Sequence, residues 1–411
     1  MAKILIHSLI FKPDGVSTAY LYADLVSELK KLGHEIEVLT TTPHYNIIKT
    51  DIEKQPLKRK NLFFYESTYD GVNVYHIPMK KSKFILKRII DFVKFHVLAL
   101  CSAFFIKKFD VVLAPSPPLT IGVISHFLAK LRGGKAIYNV QEIYPDFAIN
   151  QGMLKNPLMI RVLKSIEKYV YRKSAAVVTI DDKFSDVIKD RVPGKDKLFI
   201  IPNFVDTSLY VPGNRINSFS SAHQLDDKFV IAYAGNIGYA QNWEPIVFAA
   251  EKLKDLPVIF LIIGDGVMKP WLKETIETKK LSNILLLDYQ PRELMPQINA
   301  SADVHTIVMN AGTDAEGFPS KIYSILASAK PVIVSTGNNS PLGNFLRKAG
   351  SKRVVPLDDN EAYTTAVMQA FNEKDQLVAE GLAGRAYVEN NYSKEAVALK
   401  YHQLIQSLGK A

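Results

Sequence analysis

Phe229-Val230-Ile231-Ala232-Tyr233-Ala234-Gly235-Asn236-Ile237-Gly238-Tyr239-Ala240-Gln241-Asn242 is a continuous apolar run that ends in a Gly-x-x-Gly turn. An uncharged run of this length predicts a strand buried on both faces, as in a parallel sheet. A glycine turn after such a strand, opening into a helix over 243–254, sets backbone N–H groups where they can cradle a phosphate. The turn fits neither the P-loop nor the dinucleotide fingerprint. Ile262-Ile263-Gly264-Asp265-Gly266 repeats the theme: another strand running into a glycine-rich turn. Each turn alone could be a tight connection; two in one domain favour phosphate or nucleotide binding.

The same alternation of strand and helix fills the chain. Strands are expected at 3–10, 35–40, 72–77, 110–114, 135–140, 175–180 and 198–201, then at 229–234, 258–263, 283–287, 304–309, 331–335 and 353–357. Helical patterns lie at 17–32, 84–108, 120–132, 158–173 and 182–191, then at 243–254, 268–280, 291–301, 320–329, 341–349 and 360–372, with a last helix near 393–408. Ser17 and Thr18 are candidate caps of the first helix, and Asp181 and Asp182 of a later one. The expected fold class is α/β, with two doubly wound Rossmann-like domains. Residues 1–206 form the first domain, 207–227 a linker rich in Ser, Asn, Gly and Pro, and 228–385 the second. Residues 386–411 form a C-terminal helix expected to pack back on the first domain.

With 411 residues, 47% hydrophobic and 22% charged, the chain has globular composition, which excludes wholesale disorder or a coiled-coil rod. A single cysteine, Cys101, excludes a disulfide framework and a Cys-rich zinc site. No signal peptide and no spanning helix are read. The net charge of +10 is uneven: residues 1–200 carry 31 Lys+Arg against 19 Asp+Glu, and residues 201–411 carry 20 against 22. A basic half can meet phosphates, nucleic acid or an anionic membrane. It lacks an aromatic–basic recognition motif, so nucleic acid is not expected as a partner. The segment 80–108 combines lysines with a broad apolar face. An anionic membrane surface and a plain core helix with solvated lysines both remain open for it.

Asp314-Ala315-Glu316-Gly317-Phe318-Pro319-Ser320-Lys321 precedes a helix that Pro319 and Ser320 announce. A lysine at a helix start opposes the dipole, so Lys321 reads as a residue that meets an anion. Together the 13–15 loop, Ile201-Pro202-Asn203-Phe204-Val205-Asp206, the 235–238 turn, 264–266, 301–304 and 316–330 resemble glycosyltransferase family 4, which has the GT-B fold. The resemblance is to a bacterial surface-polysaccharide subgroup that includes N-acetylfucosaminyl-type transferases. It implies two domains facing each other across a cleft. It also implies retaining, metal-independent transfer of a sugar, with no cofactor. The donor would be a nucleotide sugar, UDP-linked above others, carrying an N-acetylated hexosamine or deoxyhexosamine. The acceptor would be a lipid-linked or free saccharide in lipopolysaccharide or capsule synthesis. The expected place of action is cytoplasmic, at the inner face of the plasma membrane.

Carried over residue by residue, Glu316 matches the first acid of the family's Glu-x7-Glu element and would orient the donor sugar. The second position is Ser324, so the ribose must be held differently. Asn236 and Gln241 stand near the places of the family's phosphate-loop cations. Lys321, Ser320 and the amides of Gly15 and Gly238 are the substitutes expected here, with Arg353 as a further option. Gly264, Asp265, Gly266, Gly317, Phe318 and Pro319 complete the donor set. In the first domain Glu142, within Asn139-Val140-Gln141-Glu142-Ile143-Tyr144-Pro145-Asp146, matches an acid that would hold the acceptor hydroxyl. Alternatives are a nucleotide-sugar 2-epimerase on the same fold, or a degenerate protein that binds sugar nucleotides without turnover.

Overall fold

The computed structural model describes residues 1–80, 85–311 and 319–409, with side chains for all of these except 85–89 and 195. The chain divides into two compact units, Met1–Asn203 with Lys394–Ala411, and Phe204–Ser393. Residues 207–227 fall inside the second unit and hold the short helix Ser218–Ala222.

The first unit is built on strands β1 (Lys3–His7), β2 (Glu35–Thr41), β3 (Lys58–Arg59), β4 (Tyr65–Tyr69), β5 (Val72–Ile77), β6 (Val111–Pro115), β7 (Lys135–Val140), β8 (Ala176–Thr179) and β9 (Leu198–Ile200). Their order across the sheet is β3-β4-β5-β2-β1-β6-β7-β8-β9. All neighbours pair parallel except β3 with β4 and β4 with β5. The strand order reverses between β1 and β6, the point where doubly wound sheets open a crevice at their carboxyl ends. The helix Ile85–Ser102 covers one face, sending Phe95 and Ala99 into a core with Leu5, Leu39 and Val112. The helix Lys394–Gly409 also belongs to this unit. It packs on the helix Ser17–Lys31, and its Tyr401 hydroxyl accepts a hydrogen bond from Asn139 Nδ2.

The second unit carries β10 (Phe229–Ala234), β11 (Val258–Ile263), β12 (Ile284–Leu287), β13 (Val304–Val308), β14 (Val332–Ser335) and β15 (Val354–Val355). Their order, β12-β11-β10-β13-β14-β15, is parallel throughout and reverses between β10 and β13. The apolar run of β10 serves both faces. Phe229, Ile231 and Tyr233 enter one core with Trp243 and Tyr363, while Val230 and Ala232 enter another with Phe219 and Ile298. Each large side chain buried this way contributes roughly 1.5–3 kcal/mol, so the run cannot tolerate a polar face.

Three local readings need correction. The first helix begins after Val16, with Ser17 as its first residue and no side-chain cap. The polar strands β3 and β4 are additional, as is the helix Lys374–Tyr392. Asp181 does cap its helix, accepting from Phe184 N at 2.7 Å. Among the described residues, no helix is long and apolar enough to cross a membrane.

Candidate functional site

In the second unit the glycine turns of β10 and β11 lie against each other beside the switch point. Gly235 N–H donates to Ile263 O at 2.9 Å, and Ile237 N–H to Asp265 O at 2.8 Å. This contact demands the absence of side chains. Gly264 has φ +153°, and a Cβ there would overlap the carbonyl oxygen of Gly235. At Gly266 a Cβ would overlap the Ile237 carbonyl. Gln241 closes the first turn: its Oε1 accepts from Gly238 N–H at 3.3 Å, and it bridges to Met309 just past β13. Lys269 holds the second turn by donating to Gly264 O at 3.0 Å while pairing with Asp288 beyond β12.

Lys321 opens the helix Lys321–Ala327 and reaches this assembly. Its Nζ lies 3.5 Å from the centroid of the Tyr233 ring. A Cβ built on Gly235 would stand 3.0 Å from the same nitrogen. The residue as a whole is partly exposed, but Nζ is buried and has no hydrogen-bond partner among the described residues. Burial pushes its pKa down from 10.5 to about 7. The π face of Tyr233 offsets part of the desolvation cost. Tyr233 is in turn fixed by donating to Asn236 O at 2.6 Å and by an edge contact with Trp243 at 4.8 Å between ring centroids. An unpaired ammonium beside two glycine turns is a site prepared for an anion. Tyr233 was not among the expected site residues; its place one residue before the end of β10, just ahead of the turn, is the signal that could have found it.

The other expected donor residues are placed as follows. Asn236, Gly238, Gln241, Gly264, Asp265 and Gly266 come together around the two turns. Asp265 Oδ1 accepts from Gly266 N–H at 2.8 Å. Ser320 is exposed and makes no capping bond, and Pro319 precedes it. Ser324 lies one turn beyond Lys321, its hydroxyl donating to Lys321 O at 2.9 Å. Glu316, Gly317 and Phe318 lie outside the described residues. Arg353 is buried and tied to Glu373 at 3.1 Å and Glu380 at 3.4 Å, so it is engaged in structure.

In the first unit, Gly15 follows β1 within a loop organised by buried Asp14. That carboxylate accepts from the amides of His44 at 2.9 Å, Tyr45 at 2.9 Å and Asn46 at 2.8 Å. The Gly15 amide, expected to meet phosphate, donates to Asn46 O at 2.8 Å. Glu142 follows β7. Ser116 Oγ, just past β6, accepts from Gln141 N–H at 3.0 Å and Glu142 N–H at 3.2 Å. The Glu142 carboxyl is half-buried, and desolvation raises its pKa above the usual value. Gln141 pairs with Asn203 through two amide hydrogen bonds of 2.8 and 3.0 Å. Among the described residues, no group of three or more His, Cys, Asp or Glu is placed to hold a metal ion.

Comparison with known proteins agrees with this architecture. Residues 18–209 match the family model described as Glycosyltransferase Family 4, and residues 215–385 match Glycosyl transferases group 1. The chain is 23% identical over 410 residues to WcaI of Escherichia coli (strain K12), named as a colanic acid biosynthesis glycosyl transferase, covering 97% of this chain and 98% of that one. It is 22% identical over 306 residues to WbjE of Pseudomonas aeruginosa, named as a glycosyltransferase, covering 74% and 76%. Among solved structures it resembles Anabaena Alr3699/HepE in complex with UDP, with TM-score 0.72 and 12% identity over 98% of this chain and 100% of that one. It also resembles the catalytic domain of starch synthase IV from Arabidopsis thaliana bound to ADP and acarbose, with TM-score 0.72 and 12% identity over the whole of both chains. The fold is GT-B, and with the two family matches spanning most of its length the chain belongs to the group 1/family 4 glycosyltransferases.

Proposed function

We propose that this glycosyltransferase moves a sugar, an N-acetylated hexosamine or deoxyhexosamine, from a UDP-linked donor to a lipid-linked saccharide in bacterial surface-polysaccharide synthesis, with retention and without a metal. The observation that carries the reading is the buried Lys321 ammonium beside Gly235, where the two glycine turns meet, with no hydrogen-bond partner among the described residues. The names of the similar proteins support it: one is named for colanic acid biosynthesis, another was solved with UDP.

In this reading the donor diphosphate joins Lys321 and the amide dipoles of the 235–238 turn. As the bond from anomeric carbon to phosphate oxygen breaks, charge grows on the leaving phosphate, and a fixed ammonium in a desolvated setting stabilises it. The acceptor oxygen bonds to the anomeric carbon from the same face, and its proton passes to the departing phosphate. Glu316 orients the donor sugar. Glu142, whose carboxyl burial favours the neutral form, positions the acceptor hydroxyl.

The test is release of UDP from a panel of UDP-N-acetylhexosamines, with and without lipid-linked saccharide, in wild type and Lys321→Met. The expected result is acceptor-dependent release, an unchanged anomeric configuration, no effect of EDTA, and a rate at least ~10²-fold lower in the variant, the scale for losing one preorganised electrostatic contact. Isomerised donor formed without acceptor would establish the epimerase reading instead. Donor binding without turnover in any mixture would establish a binding protein.

A further inference from the structure

At the carboxyl ends of the first unit's strands, three aromatic side chains gather near the carboxyl of Glu142. Tyr45 follows β2 and is 47% exposed. Phe147 sits on the short helix Asp146–Asn150 after β7 and is 38% exposed. Tyr144 is partly exposed, and its ring centroid lies 5.8 Å from that of Phe147. Its N–H donates to Glu142 O at 3.1 Å, a tight turn that brings ring and carboxyl into one neighbourhood. Burial raises the pKa of the Tyr144 phenol, and the charges of Glu142 and Tyr45 raise it further, as charges do at close range. Single exposed aromatics need no explanation, whereas aromatics grouped about one acid mark a site of contact.

The supports of these rings are fixed. The buried Asp14 carboxylate holds the Tyr45 amide at 2.9 Å together with those of its two neighbours, and the buried His44 ring backs Tyr45 at 4.7 Å between centroids. Asp146, next to Phe147, pairs with Arg191 at 2.6 Å. Aromatic rings on a fixed backbone offer contact area at small entropic cost. The chemistry of the group says what it takes. A pyranose carries C–H groups on its flat face and hydroxyls around its rim. The C–H groups match the negative face of an aromatic ring, and the hydroxyls match the Glu142 carboxyl and the two phenols. A nucleoside diphosphate would set its negative charge against that carboxyl. A hydrocarbon chain would cover the carboxyl and the phenols without giving them hydrogen bonds. A neutral sugar ring satisfies both parts.

We propose that Tyr45, Tyr144 and Phe147, beside Glu142, form a stacking platform for a sugar ring of the acceptor and set which saccharide is taken. That the saccharide is the acceptor rests on the transfer reading, so the test reads binding and turnover separately. Saturation-transfer NMR on the full-length chain uses methyl glycosides of a hexose, an N-acetylhexosamine and a 6-deoxyhexose, and the strongest binder is titrated for affinity. The variants are Tyr45→Ala, Tyr45→Phe and Phe147→Ala; both positions are exposed, and an unchanged melting temperature is the folding control. Wild type binds at least one glycoside, with saturation reaching its ring C–H protons. Each alanine variant weakens that binding at least about fivefold, the scale of one aromatic contact, while Tyr45→Phe, which keeps the ring, stays within about twofold. In the transfer assay the alanine variants raise the acceptor KM by a similar factor and leave the donor KM unchanged. No binding of any glycoside, or alanine variants that bind like wild type, would overturn the proposal. Ring-dependent binding in a protein that transfers nothing would keep the platform and fail the transfer reading. Turnover with an unaltered acceptor KM in both alanine variants would keep transfer and overturn the platform.

Discussion

Lys321 presents a charged nitrogen to the ring of Tyr233 at 3.5 Å and to no hydrogen-bond acceptor among the described residues. Burying an ammonium in this way is unfavourable unless an anion joins it. The cost leaves a signature in the free protein. The folded pKa is about 7 against 10.5 for an ordinary lysine, so between those values the unfolded chain holds more protons than the native one. Linkage then makes stability rise with pH across that window, and stay flat below about 7, where both states are protonated. Wild type should therefore gain melting temperature relative to Lys321→Met as pH rises from 7 to 9.5, within the window those two values bound. A constant difference between the two proteins across the window would show that the ammonium is solvated.

At the scale of elements, the two turns of the second unit tolerate different things. At Gly264 a new Cβ meets backbone, the Gly235 carbonyl, at a φ of +153°. At Gly238 the nearest atoms it meets belong to the side chain of Asn236. Gly264→Ala should cost about 3 kcal/mol, combining overpacking with backbone strain, while Gly238→Ala should cost less than about 1 kcal/mol, since a side-chain end can move away. Urea unfolding measures both, and equal effects would contradict the packing of turn on turn.

The same elements show what the sequence can and cannot reveal. Parallel strands buried on both faces are written as uncharged runs, so β10 and β11 were legible to the residue, while β1 ends at His7, three residues short of the expected strand. Tyr65–Tyr69 was not, because an antiparallel strand near the sheet edge needs no apolar run; its buried Ser67 instead shares hydrogen bonds with Gln55 at 2.9 Å and His76 at 2.7 Å. The helix Lys374–Tyr392 escaped for another reason. It meets the Lys321–Ala327 helix through Gly381 and Gly384, where a Cβ would run into Ala329 O and Leu326 Cδ2. Close approach through glycines replaces the apolar stripe that periodicity detects. Lys321 stood out in the sequence because a cation at a helix start is out of place, and it does open its helix. The engaged Gly15 amide was not, because its partner Asn46 is distant in sequence.

At the scale of the whole molecule, the last helix completes the first unit rather than the second that precedes it in the chain. Val397, Ala398, Tyr401, Leu404 and Ile405 are buried on Lys394–Gly409. Their burial is worth on the order of 8 kcal/mol, comparable to the total stability of a typical domain. Deleting residues 394–411 should therefore leave the first unit open to limited proteolysis while the strands of the second stay protected. A deletion protein with an intact first unit would show that the helix is an appendage.

Transfer in this enzyme requires that Lys321 receive a nucleoside diphosphate. Calorimetric titration of UDP at pH 8, in buffers of different ionisation enthalpy, measures this directly. At that pH the free ammonium is largely deprotonated, so binding that pairs it with a diphosphate must take up a proton. The expected result is proton uptake in wild type, its loss in Lys321→Met, and at least ~10-fold weaker binding in the variant, the loss expected for one charge-assisted contact. Equal affinity and equal proton uptake in the two proteins would place the diphosphate elsewhere and contradict the account.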